Sequence, residues 1–453
     1  MTATDSLRHV LLGVLLVCVA GNLQPLLLWL TDSGPTHALA ASRIIPHTIT
    51  EFPLLSLLVG DLHAHVLLLP LLPLFALWAG EGRVDGGRLL PIVIVNLLLL
   101  AVALGNTWYL AALLSLFAVM KVLRSSMLPW WTPLPSLAAL PWLWPASGQG
   151  LAIGLVQPAA NSPLPAFLIV WGVPLLILLA LLDRELLSQR ARLLSVALLP
   201  VAALALVAPA AGLCAALALL LWLAGRDALR FWRALAISAL VLLALPELLF
   251  IDDTYPPPDQ RLNTVYKFSY AAWPLLMMAV ARALLYQMHS SERMARYLPG
   301  AALLLLAPLM GYASHFLPQR LAQGLSLPLW DGVAPLARGH PQDVRLARWL
   351  EARSEPGDVC LEATGVSYQW SGRMSALAGC ATVLGWSDHE LLWRGQQKLI
   401  EARRRDVDTI YTTGDEALRR ELLRRYDVDW VVLGEVERVR YGEAFTQLPG
   451  GGL

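Results

Sequence analysis

The sequence predicts an α-helical polytopic membrane domain over residues 1–320 and a small extracytoplasmic α/β domain over 321–453. Three observations carry this expectation. Hydrophobic residues make up 57% of the 453 and charged residues 15%, with a mean hydropathy of +0.57, which is not the composition of a soluble domain. Apolar stretches of membrane-spanning length recur up to about residue 316. Beyond residue 320 charge density jumps and the apolar runs become short.

Spans are expected near 8–30, 64–80, 89–105, 109–123, 164–182, 193–209, 211–225, 233–250, 268–288 and 298–316, with a shorter, Pro-interrupted one at 130–146, eleven in all. The first run lacks a clear small-residue cleavage site and reaches Leu30, so it reads as a retained helix rather than a signal peptide. Cytoplasmic loops collect Lys and Arg. With the N-terminus inside, the inner loops hold twelve basic residues and the outer loops only Arg43, Arg261 and Lys267. Eleven spans then place the C-terminal domain outside the plasma membrane. Lysine occurs only at 121, 267 and 398, a bias toward Arg that suggests a bacterial source.

In the C-terminal part, Pro341 to Arg353 reads as an amphipathic helix and Asp358 to Ala363 as a buried strand. Glu416 to Tyr426 reads as a helix leading into a second strand, Asp429 to Leu433, so a small α/β layer is expected. The four cysteines form no CxxC, which argues against structural zinc. Cys360 and Cys380 are either a disulfide, if this part is extracytoplasmic, or two buried thiols. A net charge of +1 leaves no surplus for a nucleic-acid backbone.

Polar groups at membrane depth are costly, so those that apolar patterning does not explain carry the functional reading. Four constellations qualify, all on the expected outer side. The first runs from Arg43 through His47 and Glu51 to Asp61, His63 and His65 at the mouth of the second span. Extended backbone puts Asp61, His63 and His65 on one face, whereas a helix aligns only Asp61 with His65. Such a set suits a divalent metal such as Mg²⁺ or Mn²⁺, or a general base, and Arg43 suits a phosphate; the plainer reading is interfacial caps. The second is Gly105-Asn106-Thr107-Trp108-Tyr109, which also fits a satisfied helix break with interfacial aromatics. The third is Gly150 to Gln157 in a Pro-rich outer loop. The fourth joins Glu247, Asp252 and Asp253 to Arg261, Asn263 and Lys267, two signs of charge able to hold a metal or a phosphate, or an outer-loop ion-pair network. In the C-terminal part, a loop carrying Trp386, Asp388, His389, Trp393 and Arg394 fits either a saccharide subsite or a membrane-docking surface.

Several stretches run through most of the chain in a recognisable order: SRIIPHTITEFPLLSLLVGDLHAH, GNTWY, GLAIGLVQP with FLIVWG, IDD through RLNTVYKF with AAW, and, in the tail, ATVLGWSDHELLWRG, DTIYTTGD and RRYDVDWVVLGEVERVRYG. With them the sequence resembles the YYY membrane proteins of bacteria and archaea, a domain of unknown function within the GT-C superfamily of membrane glycosyltransferases. It departs from that family in two ways. The extra N-terminal spans with their acidic first outer loop and tyrosine run are not in this chain, and Tyr109 stands where an Asp is expected. The chain is thus expected to be truncated, to pair with a separate polypeptide supplying those spans, or to rebuild its site from Glu51 and Asp61.

The resemblance implies transfer of a sugar from a polyprenyl-phosphate donor in the bilayer to a glycan or other envelope acceptor on the outer face. Asp61 or Glu51 would be the base, His63 and His65 metal ligands or hydrogen-bond partners, and Arg261 and Lys267 the cations for the departing phosphate. The alternative is a non-catalytic component that binds or translocates a lipid-linked saccharide.

Overall fold

The computed structural model describes residues 3–24, 41–59, 63–81, 89–143, 152–252, 255, 257–288, 314, 318–319, 321–322, 332–367 and 369–442. They fall into two compact units that divide at residue 321.

The first unit is helical. Its elements are α1 (Ala3–Val19), α2 (Pro53–Val59), α3 (Ala64–Leu67), α4 (Leu71–Glu81), α5 (Leu89–Gly105), α6 (Trp108–Val122) and α7 (Leu134–Leu143). After β1 (Ala152–Leu155) come α8 (Leu164–Leu178), α9 (Arg184–Gln189), α10 (Ala191–Val207), α11 (Pro209–Ala224) and α12 (Arg230–Ala244). Strand β2 (Leu249–Asp252) then leads into α13 (Leu262–Met288).

Three segments are long and apolar enough to cross a bilayer, Leu164–Leu181, Asp227–Glu247 and Leu262–Tyr286. Five more are apolar but shorter: Leu71–Gly80, α5, α6, α10 and α11. Eleven spans are therefore not reached among the described residues. The expected span at 298–316 lies outside them, and the one at 8–30 is described only to residue 24, with α1 ending at Val19. The 64–80 run breaks after α3 at Pro70, which has no N–H to give the helix and whose ring crowds the preceding turn. The Pro-rich run at 130–146 yields only the 10-residue α7. The 233–250 run leaves helix at Leu245 and ends in β2, while α13 starts six residues before the expected 268.

Helix α13 is the centre of the unit, packing against α12, α1, α8 and α6. Its buried Trp273 stacks on Phe52 at 5.4 Å between ring centroids, meets Trp171 at 5.7 Å, and donates from Nε1 to the Val17 carbonyl at 3.1 Å. Close approach elsewhere uses small residues: a Cβ on Gly212 of α11 would come within 2.5 Å of Ala205 Cα of α10. Strands β1 and β2 pair antiparallel, Ala152 opposite Asp252, and tie the loop after α7 to the entrance of α13.

The second unit is α/β. It comprises α14 (Ala334–Gly339), α15 (Pro341–Glu351), β3 (Val359–Leu361), α16 (Arg373–Ala378), β4 (Ala381–Thr382), α17 (Ser387–Arg394), α18 (Gln397–Thr412), α19 (Glu416–Arg425), β5 (Val428–Val431) and α20 (Glu435–Tyr441). The sheet is parallel with β3 central, in the order β4-β3-β5. Cys360 of β3 is disulfide-bonded to Cys380, beside β4, with their Cα atoms 6.0 Å apart. The expected loop at 385–395 is instead mostly helix α17, so Asp388, His389, Trp393 and Arg394 lie on a helix entered through Trp386.

Several buried charged and phenolic groups in this unit are paired. The Arg373 guanidinium donates to Asp343 at 2.8 Å and to both Glu437 oxygens at 3.1 and 2.8 Å. Glu362 accepts from the Met374 and Ser375 amides at 3.1 and 3.0 Å, capping α16, while burial raises its carboxyl above the usual range. Tyr411 lies 3.0 Å from the carbonyls of Leu361 and Val432 and stacks on Tyr441, which donates to Asp408 at 2.8 Å.

Burial pushes both phenols above the ordinary 10.0. A raised folded value means the native state holds the proton that the unfolded chain releases. Stability from these tyrosines is thus full below about pH 10 and falls as pH rises toward the folded values. Thermal unfolding followed by circular dichroism is expected to show this alkaline loss in the wild type and a shallower one in Tyr411→Phe.

Candidate functional site

The first unit gathers the four sequence constellations at one end of its helices. His47 Nδ1 meets Asp259 Oδ1 at 3.1 Å, joining the first to the fourth. The ring of Trp108 lies edge-on to Phe268, 6.0 Å away, and the Tyr109 hydroxyl donates to the His65 carbonyl at 3.0 Å. The third joins the fourth through β1–β2 pairing and through Ser162, whose N–H and hydroxyl donate to Glu247 at 2.8 and 2.7 Å.

At the centre is a buried line of hydrogen bonds. The ammonium of Lys267 lies 3.2 Å from His65 Nδ1, His65 Nε2 lies 2.9 Å from the Tyr266 hydroxyl, and that hydroxyl donates to Glu51 Oε2 at 3.0 Å. Ser56 Oγ donates to the same carboxylate oxygen at 3.3 Å. An ammonium has no lone pair, so His65 Nδ1 accepts, and the ring, neutral, carries its proton on Nε2. That N–H donates to Tyr266, whose one proton goes to Glu51. The donors and acceptors fit one direction only: Lys267 to His65 to Tyr266 to Glu51. His65 is 1% exposed, and the edges of Tyr266 and Tyr270 hold its ring at 4.9 and 4.5 Å. Lys267 is half-buried and lies 4.0 Å from the Tyr266 ring centroid, a cation–π contact.

Local sequence explains the geometry. Tyr266 and Tyr270 are four residues apart on α13 and share a face. His63 has extended backbone at the start of α3, which turns the next residues into the helix and buries His65. The rings of His63 and His65 are 5.5 Å apart, with His63 exposed. Phe52 on Trp273 fixes the chain beside Glu51.

The second polar cluster is an ion pair with no exposed face. Arg261 donates to Glu247 at 2.6 Å, to Ser162 Oγ at 3.0 Å and to the Ala160 carbonyl at 2.6 Å. Arg261, Glu247 and Ser162 are 2%, 3% and 3% exposed. Arg261 and Lys267, read together from sequence as phosphate cations, therefore take different partners.

Other expected site residues are placed as follows. Arg43, Gln157 and Asp252 are exposed. Asn106 accepts from the Trp108 amide at 3.2 Å, the helix-break role. Asn263 lies in the first turn of α13. Asp61 and Asp253 lie outside the described residues, as do the side chains of Trp393 and Arg394. Among the described residues no three His, Cys, Asp or Glu groups are placed to hold a metal ion; of the expected ligands Asp61, His63 and His65, Asp61 lies outside the described residues and both ring nitrogens of His65 are engaged. Sequence reading gave no role to Tyr266, Ser56 or Ser162. The i, i+4 pair Tyr266 and Tyr270 was the available signal, hidden because α13 was expected to begin at 268.

Fold and site together define a helical integral membrane protein with a polar, hydrogen-bonded centre. Residues 2–276 match the family described as Uncharacterized membrane protein (DUF2298), and the chain belongs to that family. No curated protein and no solved structure matches the chain.

Proposed function

We propose that this protein is a membrane glycosyltransferase of the GT-C kind, moving a sugar from a polyprenyl-phosphate donor to an envelope acceptor on the outer face of a bacterial plasma membrane. The observation that carries the reading is the line from Lys267 through His65 and Tyr266 to Glu51, a cation and a carboxylate joined by neutral groups at one end of the helices. Glu51 takes the proton of the acceptor hydroxyl, whose oxygen attacks the anomeric carbon. The bond from that carbon to the phosphate oxygen breaks, and Lys267 offsets the charge left on the phosphate. Glu51 then releases its proton to solvent. Among the described residues both bonds to Glu51 fall on Oε2, so Oε1 is the oxygen assigned to the acceptor. Asp61 remains a second candidate base, and Tyr109 supports the site by fixing the His65 backbone.

The second unit is proposed to lie outside the membrane. The excess of basic residues in the expected inner loops supports this, and so does the Cys360–Cys380 disulfide, a bond that persists in oxidising compartments. Donor binding tests the phosphate role. Purified protein in detergent is expected to bind a radiolabelled polyprenyl-phosphate sugar saturably, and Lys267→Ala to weaken that binding about tenfold. Equal binding by the variant refutes the role given to Lys267.

A further inference from the structure

We propose that the second unit carries its own binding site for an uncharged saccharide, at the carboxyl edge of the parallel sheet and formed by Thr364, Trp386 and Asp388. The inference names a substrate class for this unit and takes from the glycosyltransferase reading only the reason a sugar would be present.

Topology locates the site. In an open parallel sheet the crevice outside the carboxyl ends, where neighbouring connections leave in opposite directions, is where ligands bind. The order β4-β3-β5 puts that point at the end of β3. Its loop is seamed to the loop after β4 by a bridge between Gly365 and Trp386, by the Trp386 indole N–H donating to the Ser371 carbonyl at 2.7 Å, and by Ser367 Oγ donating to Asp388 at 3.4 Å. On the β5 side the Ala363 amide donates to Glu437 at 2.9 Å. Thr364 lies between these two seams. It is 2% exposed, and its hydroxyl has no partner among the described residues. A buried hydroxyl left unpaired is costly, and a ligand hydroxyl would satisfy it.

Charge selects the ligand class. Glu362 follows β3, Asp388 and Glu390 follow β4, and Glu435 and Glu437 follow β5. Of the cations among them, Arg373 is taken up by Asp343 and Glu437, and Arg403 donates to the Val383 carbonyl at 3.3 Å, so the acids outnumber them. Such an edge repels a phosphate or an acidic sugar. The Trp386 indole is half-buried, with the His389 ring edge-on 5.1 Å away, an aromatic pair suited to the C–H side of a pyranose, and the exposed Asp388 carboxylate can accept from sugar hydroxyls.

The test is calorimetric titration of the full chain in detergent with chitotetraose, maltotetraose and mannotetraose, without lipid donor. Saturable binding of one of them is expected, weakened about tenfold by Trp386→Ala and by Asp388→Asn. Thr364→Val separates binding from folding: it is expected to weaken the same binding while the unfolding temperature holds or rises, because it removes an unpaired buried hydroxyl. The proposal is overturned if the wild type binds none of the three, or if Thr364→Val and Trp386→Ala bind like the wild type. Since no donor is used, failed sugar transfer with intact tetrasaccharide binding would count against the glycosyltransferase reading and leave this site standing.

Discussion

Glu51→Gln is expected to lower sugar transfer by about 10²–10⁴-fold, the range for loss of a positioned general base, while donor binding stays at the wild-type level. The substitution is nearly isosteric. It keeps an oxygen able to accept from Tyr266 and Ser56, so the hydrogen bonds at 3.0 and 3.3 Å need not break. What it removes is the capacity to take a proton. Tyr266→Phe tests the connection instead of the base: it keeps the ring that packs on His65 and the face under Lys267 but removes the hydroxyl between Glu51 and His65. Its expected signature is a smaller loss, about tenfold, with a displaced pH profile of kcat. An unmoved profile would show that Tyr266 only packs.

Glu247→Ala is expected to destabilise the first unit by about 3–5 kcal/mol, because it leaves the Arg261 guanidinium buried without its carboxylate. Arg261→Ala acts from the other side, stranding Glu247 with only Ser162 as donor. The double variant Glu247→Leu with Arg261→Met is expected to recover most of the loss, since two apolar side chains of similar volume carry no desolvation penalty. Thermal unfolding in detergent, read by loss of the monodisperse chromatographic peak, compares the three. A double variant as unstable as Glu247→Ala would refute the view that the pair acts as a charge-neutral unit.

That pair marks where sequence reading worked and where it stopped. Glu247 stood out as a carboxylate in an apolar run that needed a partner, and the structure supplies Arg261. The same reading gave Arg261 to a phosphate, because spacing does not reveal that Ala160 and Ser162, about a hundred residues away, accept from its two terminal nitrogens. The polar constellations were legible as departures from apolar patterning, and their convergence was not, since it depends on how the helices pack. Tyr266 was missed for a related reason. With the helix expected to begin at 268, Tyr266 fell in a loop next to Lys267, and only the opposing Glu51 and His65 give its hydroxyl a task. The strands β3 and β5 and the helices α15 and α19 were legible because their periodicities are clean. The two-residue β4 was not, being too short to show a period. Among the described residues eleven spans are not reached, because prolines and short lengths divide apolar runs that composition alone presents as continuous.

The central claim is that Glu51, Tyr266, His65 and Lys267 form the working centre of a sugar-transfer site. Its most direct test is transfer of label from radiolabelled polyprenyl-phosphate sugars to acceptors in a membrane extract, by purified wild type, Glu51→Gln and Lys267→Ala, each with and without a chelator. The account predicts transfer by the wild type, its near-complete loss in Glu51→Gln, and a fall in Lys267→Ala that follows weakened donor binding. Full transfer by Glu51→Gln would contradict it, and wild-type donor binding without any transfer would make the protein a carrier of lipid-linked saccharide instead of its transferase.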